Sequence, residues 1–505
     1  MKIERTRNTI RNIVFGFGYR ILNIVLPFVS RTVILYVLGS QYLGLSSLFT
    51  SILSFLSLAE LGVGNAMVYS MYKPIAENDN KTIKALLNLY RKFYRVIGTV
   101  IFLLGLCLIP FLKSLVRESL PGDVNLYILY ILYLVNVVLS YWLFAYKSAL
   151  LQAFQRNDIE SKIAMVITPL SYVFMLGALF LTKNYYAYII WLPVFTICTN
   201  IARLIYVDRL FPDLKPEGQI NNEIKNNIVK KVKALIGTKL NTVVLNAADN
   251  IVMAMFFGLT TIAVYGNYYY IMSSIIGFLG ICYMSMTAGL GNCLETETLE
   301  KNYNDFLKFS FINSWLVGWC TICLICLYQP FMYLWTGEDL MFPFYIVLEF
   351  GLYFFVYQIR KIPITYKDAA GIWWEDRLRP YVSMVVNLVL NIVLVQAIGI
   401  SGVILSTVFS LFISIPWENY VLFKHLFKRS SKEYYKKMNY YIVVLFIAGS
   451  VTWFVCSFLK QGFLSLIIRG IICVTVPNII ILLCSSKSKE FKESKEFVLN
   501  IIRKR

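Results

Sequence analysis

The chain has 505 residues, 58% of them apolar and 15% charged, with a mean hydropathy of +0.64. That leaves too little polar surface to clothe a water-soluble globule of 58.3 kDa and excludes an ordinary cytosolic enzyme. The 48 Lys and Arg against 28 Asp and Glu give a net charge of +20, which must be read by position, and the lone histidine, His425, leaves nothing for a His-ligated metal or a catalytic triad.

Apolar runs of the roughly 20 residues that cross a bilayer predict an all-α polytopic membrane protein of about fourteen helices. They lie at about 12–38, 42–72, 94–112, 125–146, 163–182, 186–207, 234–257, 261–290, 309–333, 343–366, 381–399, 401–423, 439–459 and 462–484. Residues 1–11 are basic, but the run after them is too long for a signal peptide and contains Arg20 and Arg31. Those arginines are eleven residues apart in the first helix, on one face and separated by roughly 16 Å along the axis. A cation in mid-span is costly and persists where it is paired or lines a wet cavity. In the second helix Glu60 precedes Gly62 and Gly64 at about the depth of Arg20, which makes an Arg20–Glu60 pair plausible.

The seventh helix carries Lys239 and Asp249 among Asn241, Asn246 and Asn250, more amides than a lipid-facing helix would hold. Asp249 is either a cavity or ion-coupling group, for H⁺ or Na⁺, or the structural partner of Lys239 or Arg31. Arg20 and Lys239 could instead snorkel to the cytoplasmic headgroups. In the ninth helix Cys320, Cys323 and Cys326 read as packing residues, with no second cluster to complete a metal shell. The tenth helix carries Glu349 and Arg360 on one face, then Lys361 and Pro363, a broken end of the kind that lines cavities. Lys361, Arg203, Glu418 and Arg469 read as snorkelling or structural groups. No Walker sequence is present, so direct use of ATP is not expected.

With the N-terminus inside, 37 of the 48 basic residues fall in cytoplasmic segments and four outside, which places both termini in the cytoplasm. The chain also repeats. Tyr146-Lys147-Ser148-Ala149 returns as Tyr366-Lys367-Asp368-Ala369 and Pro110 as Pro330 at an offset of 220, and Leu38-Gly39 returns as Phe257-Gly258 at 219. Two pseudo-symmetric six-helix bundles are expected, at 1–211 and 234–428, joined by a cytoplasmic linker at 212–233 and followed by two extra helices and a basic tail at 429–505. An even helix count makes the repeat parallel, with a substrate cavity between halves. The offset carries Arg20 onto Lys239.

The stretch from Leu56 through Glu60, Gly62, Gly64, Tyr69, Tyr72, Lys73-Pro74 and Asp79 to Tyr90, Arg91 and Arg95 resembles bacterial polysaccharide transporters. These are the Wzx-type flippases of the multidrug, oligosaccharidyl-lipid and polysaccharide exporter superfamily. Leu26-Pro27-Phe28, Arg31 and Leu38-Gly39 are similar to the family's first helix, and the resemblance covers nearly the whole chain. It implies translocation of an undecaprenyl-diphosphate-linked oligosaccharide from inner to outer leaflet of the bacterial cytoplasmic membrane, for capsule or exopolysaccharide assembly, by alternating access. Arg20, Arg31, Lys239 and Arg360 would be the diphosphate clamp, since guanidinium groups grip phosphate through paired N–H donors. Glu60, Asp249, Asn246 and Asn250 are the cavity or ion-coupling candidates. A monomer without cofactor, embedded in the lipid bilayer and in contact with the polymerase of its pathway, is expected; nucleic acid is not. The rivals are a lipid II flippase and a cation-coupled multidrug antiporter of the same superfamily. A membrane enzyme would need a larger outer loop bearing carboxylates than the roughly ten-residue loops near 113–124 and 334–342.

Overall fold

The computed structural model describes residues 5–60, 63–116 and 120–503, apart from some side chains within helices. Packing divides the chain into two compact units, Met1–Ala263 and Val264–Arg505. The first begins with α1 (Arg5–Val37), α2 (Ser40–Leu56), α3 (Val63–Ala76), α4 (Asn80–Leu108) and α5 (Leu126–Trp142). It continues through α6 (Ser148–Ala153), α7 (Asn157–Thr182), α8 (Tyr185–Ile189), α9 (Trp191–Leu210) and α10 (Asn222–Phe256). After α11 (Leu259–Thr296) come α12 (Leu299–Thr336), α13 (Phe344–Ile359), α14 (Lys361–Ala369) and α15 (Arg379–Ile398). The chain closes with α16 (Ile400–Leu422), α17 (Lys432–Ser457), α18 (Phe463–Ser485) and α19 (Lys489–Arg503).

The all-helical architecture follows from the solvent. Hydrocarbon offers no hydrogen-bond partner, so each spanning segment must satisfy its backbone internally. Large apolar side chains accordingly face outward, Leu181 at 88% exposure and Phe446 at 74%. Among the described residues ten helices are long and apolar enough to cross a membrane, and the bent pair Leu126–Trp142 and Ala145–Ala153, angled at 46°, makes an eleventh if it forms one span.

Of the other expected spans two are interrupted and one is short. The second ends at Leu56 and passes through a 3₁₀ turn, Ser57–Glu60, before α3. The seventh is the apolar end of α10, Leu240–Phe256. The tenth breaks between α13 and α14 at Arg360, where Pro363 supplies no N–H and crowds the carbonyl four residues back. α10 falls within the first unit, where Asn250 Nδ2 donates to Ser51 Oγ of α2 at 2.9 Å. The packing boundary therefore comes later in the chain than the expected 212–233 linker.

The repeated Leu-Gly and Phe-Gly pairs make the same turn. The amides of Leu38 and Gly39 both donate to the Ile34 carbonyl, at 2.9 and 3.1 Å, and those of Phe257 and Gly258 to the Met253 carbonyl, at 2.8 and 3.2 Å. Gly39 at φ 108° and Gly258 at φ 97° occupy backbone space that a side chain resists. Pro110 and Pro330 are not equivalent: Pro110 opens a 3₁₀ turn after α4, whereas α12 runs through Pro330 to Thr336 and ends before Gly337.

In the second unit α15 and α16 pack backbone to backbone, with Gly402 directly against the carbonyl group of Leu394. Asn387 Nδ2 of α15 donates to Thr407 Oγ1 of α16 at 3.0 Å. A side chain at Gly402 must push the helices apart. Gly402→Leu is expected to destabilise the protein by about 1–3 kcal/mol through overpacking, read as a lower unfolding midpoint in detergent; an unchanged midpoint would refute the close approach.

Candidate functional site

A polar cavity of about 470 Å³ lies within the first unit, bordered by Glu60, Tyr94, Tyr141, Thr196, Asn200 and Arg203 among others. Glu60 ends the 3₁₀ turn that interrupts the second span, so its carboxylate projects where the helix stops. Tyr94 OH donates to Glu60 Oε1 at 2.8 Å and Tyr141 OH to Oε2 at 3.1 Å, while Tyr90 OH donates to Tyr94 OH at 2.7 Å. Gly64 leaves room for this cluster, since a Cβ there would press on Tyr90 OH and Glu60 Oε1. Glu60 is thus held by tyrosines. The expected Arg20–Glu60 pair does not form among the described residues; two phenol donors from α4 and α5 take its place.

Arg203 closes the cavity on another side. Its Nε and Nη2 engage both oxygens of Glu160, at 2.7 and 3.0 Å, and its Nη1 donates to Asn200 Oδ1 at 2.5 Å. Thr196 Oγ1 donates to Asn136 Oδ1 at 2.7 Å. Thr196, Thr199, Asn200 and Arg203 recur at i, i+3, i+4 and i+7 along α9, one stripe of a helix. That stripe was readable in the sequence. A volume in the range of small-ligand pockets, with one carboxylate and many hydroxyls, suits a cation, a proton or a small polyol.

The expected clamp residues are distributed unevenly. Arg20 is partly buried in α1, its Nε has no partner, and it makes no ion pair among the described residues. Arg31, also on α1 and partly buried, follows Ser30, whose hydroxyl lies 2.7 Å from Tyr188 OH. The side chains of Lys239 and Asn246 lie outside the described residues. Asp249 is 3% exposed, and Asn250 bonds Ser51 while its own Oδ1 stays unpartnered.

Arg360 occupies a different setting, in the second unit. Buried at 9% exposure, its Nη2 pairs with Glu418 Oε1, which Arg379 Nη1 also approaches at 2.9 Å. Arg379 in turn holds Asp376, at 2.8 Å, and Lys367 closes on Asp376 as well. Arg360 is therefore neutralised from within the protein, and a free phosphate-gripping role does not fit it. Glu418, read from the sequence as a snorkelling or structural group, and Arg379, which the sequence does not single out, are the partners that decide this. Near the end of α14, burial raises Asp368 above the ordinary carboxylate value. Burial also pushes Asp376 upward, but Arg379 and Lys367 outweigh it and hold that carboxyl below 3.8.

No family model matches the chain. An uncharacterized membrane protein of Methanocaldococcus jannaschii is 22% identical over 85% of this chain and 86% of its own length. Among solved structures, the lipid II flippase MurJ in an inward closed conformation superposes with a TM-score of 0.66 at 14% identity, covering 94% of this chain and 98% of MurJ. An inward-facing multidrug-resistance MATE transporter of the MOP superfamily gives 0.59 at 14% identity, over 83% and 99%. A eukaryotic MATE transporter gives 0.57 at 11% identity, over 86% and 98%. The chain is a multi-pass membrane protein with the fold of these transporters.

Asp376→Asn leaves Lys367 and Arg379 without their shared buried anion, and breaking such a pair costs about 3–5 kcal/mol. Because the Asp376 pKa is depressed in the folded state, its contribution is complete above the ordinary carboxylate value of 3.8 and is lost as pH falls through the lower folded value. The stability gap between wild type and Asp376→Asn should therefore be widest near neutrality and shrink below pH 3.8, measured by denaturation in detergent across pH. A gap independent of pH would disprove the pairing.

Proposed function

We propose that the protein is a flippase that carries an undecaprenyl-diphosphate-linked oligosaccharide from the inner to the outer leaflet of a bacterial cytoplasmic membrane. Arg20 carries this reading. It is a guanidinium in a membrane-crossing helix with no ion pair among the described residues, and such a group is expensive unless it serves a passing anion. Arg31 on the same helix extends the grip, and Lys239 would join it by the sequence repeat. A diphosphate is anionic and presents the oxygen geometry that guanidinium forks match.

The fold supports the reading, since it is shared over nearly the full length with a protein described as a lipid II flippase. So does an apolar groove of about 900 Å³ in the second unit, formed by α12, α13 and α17 and lined by Ile325, Leu348, Phe355, Phe446 and Phe454 among others. Such a surface is suited to a hydrocarbon chain. The protein would act without cofactor, as a monomer, beside the polymerase that consumes its product. Lipid II itself is the nearest alternative substrate.

The Glu60 cavity favours ion coupling, by H⁺ or Na⁺, with Asp249 and Asn250 as further polar groups in the first unit. Together with the fold shared with MATE transporters, it also favours a cation-coupled multidrug antiporter. Glu60→Gln keeps one oxygen to accept from a tyrosine, turns the other position into a donor toward the second tyrosine hydroxyl, and cannot cycle a proton. Its transport is expected to become insensitive to collapse of the driving gradient; a variant as gradient-dependent as wild type would remove Glu60 from the coupling.

Sidedness decides the main reading. In cells lacking the protein, the undecaprenyl-diphosphate-linked glycan should accumulate on the inner leaflet, measured by mass spectrometry with outside-only enzymatic labelling. Hydrogen bonds to a charged group are worth about 1.5–3 kcal/mol, so Arg20→Ala should lower the outer-leaflet signal about tenfold or more at unchanged protein level. Arg20→Lys should keep part of it. Normal outer-leaflet glycan in the deletion, with other flippases removed, would overturn the proposal.

A further inference from the structure

Three cysteines that are far apart in the chain meet inside the second unit. Cys326 of α12, Cys456 of α17 and Cys473 of α18 place their sulfur atoms within 4.8 Å of one another. All are buried, at 4%, 2% and 0% exposure, and none is in a disulfide. Their helices are fixed by more than apolar contact: Trp319 of α12 donates its Nε1–H to the Cys473 carbonyl at 2.9 Å, and Trp315 to Asn478 Oδ1 at 2.7 Å. Cys323 is turned to the Cys473 carbonyl, 3.9 Å from its Sγ, and stands outside the triangle.

Metal–sulfur bonds of about 2.3 Å put three sulfurs about 4 Å apart in a trigonal plane. Closing the triangle from 4.8 Å thus requires at most about 0.8 Å of movement per pair. No fourth His, Cys, Asp or Glu joins the group among the described residues. Structural zinc almost always takes four ligands, whereas soft cations such as Cu(I) select thiolates.

Charge points the same way. Two thiolates and one thiol around a monovalent cation carry a single net negative charge, with two protons released on binding. Arg469 of α18 lies within electrostatic reach of Cys456, donates from Nη2 to the Leu459 carbonyl at 2.5 Å, and has a buried Nε without a partner. Its guanidinium offsets that charge. A third thiolate around the same monovalent ion would leave the dry site with one uncompensated negative charge. Cys326 also lines the apolar groove of about 900 Å³, which provides a route of entry.

We propose that Cys326, Cys456 and Cys473 form a three-sulfur site for a soft monovalent cation, Cu(I), which staples the α17–α18 hairpin to α12. The site shares no residue with the clamp, and only Cys326 borders the groove offered to the lipid tail.

The test uses the full-length protein, purified in detergent without oxygen, loaded with Cu(I) and passed over a competing Cu(I) chelator. Expected are about one copper per chain by mass spectrometry, three sulfur neighbours at about 2.3 Å in the X-ray absorption spectrum, and a higher unfolding midpoint. Cys456→Ala and Cys473→Ala should lose the copper, while Cys320→Ala should keep it. Any of four results would overturn the site: no copper retained, a disulfide consuming two of the thiols, retention unaffected by both alanine variants, or fewer than three sulfur neighbours. Should the alanine variants fail to fold, the wild-type spectrum decides alone.

Discussion

A membrane interior gives no hydrogen bonds and little dielectric screening, so each buried charge must be cancelled by the protein that carries it. In the second unit this produces a continuous chain of ion pairs. Glu418 takes Arg360 and Arg379, and Asp376 takes Arg379 and Lys367. Those links tie the break between α13 and α14 to the starts and ends of α15 and α16. The first unit does the same with Arg203 on Glu160 and Lys147 on Asp208. Against this background a cation without an ion pair among the described residues is conspicuous, and Arg20 is one.

Positions that repeat in the sequence keep similar interactions while changing residues. The helix-ending turns at Gly39 and Gly258 use the same pair of amides on one carbonyl. Lys147 and Lys367, both 5% exposed, each find an aspartate, though Asp208 lies at the end of a helix and Asp376 in a loop. The late bridges reverse sign: in the first unit the arginine is on α9 and the carboxylate on α7, in the second the arginine is on α15 and the carboxylate on α16. A pair survives such an exchange because its Coulomb energy depends on the product of the charges, not on which helix holds which.

Residues that break the helical backbone locate the irregular sites. Glu60 reaches its tyrosines because the second span stops one turn early, and Arg360 reaches Glu418 at the break before Pro363. Helix interruptions cost hydrogen bonds that must be regained from side chains. At Glu60 the three tyrosines Tyr90, Tyr94 and Tyr141 form the connected group that surrounds the carboxylate. The sequence shows Glu60 plainly, but its tyrosines come from α4 and α5 and look like any other aromatics in an apolar run.

From the sequence alone came the class of protein, the helical segments, the internal repeat and the short roll of charged residues in spans. Those features depend on composition and local periodicity, which hydropathy and helix geometry translate directly. Tertiary structure decided which charges are neutralised. Arg20 and Arg360 are equally plausible clamp residues by spacing, yet one has no ion pair among the described residues and the other is enclosed by Glu418, fifty-eight positions away in the chain. It also gathered Cys326, Cys456 and Cys473, while the eye-catching Cys320–Cys323–Cys326 spacing contributes only its last member. Pairing across helices depends on which faces meet after packing, and no local pattern of residues encodes that.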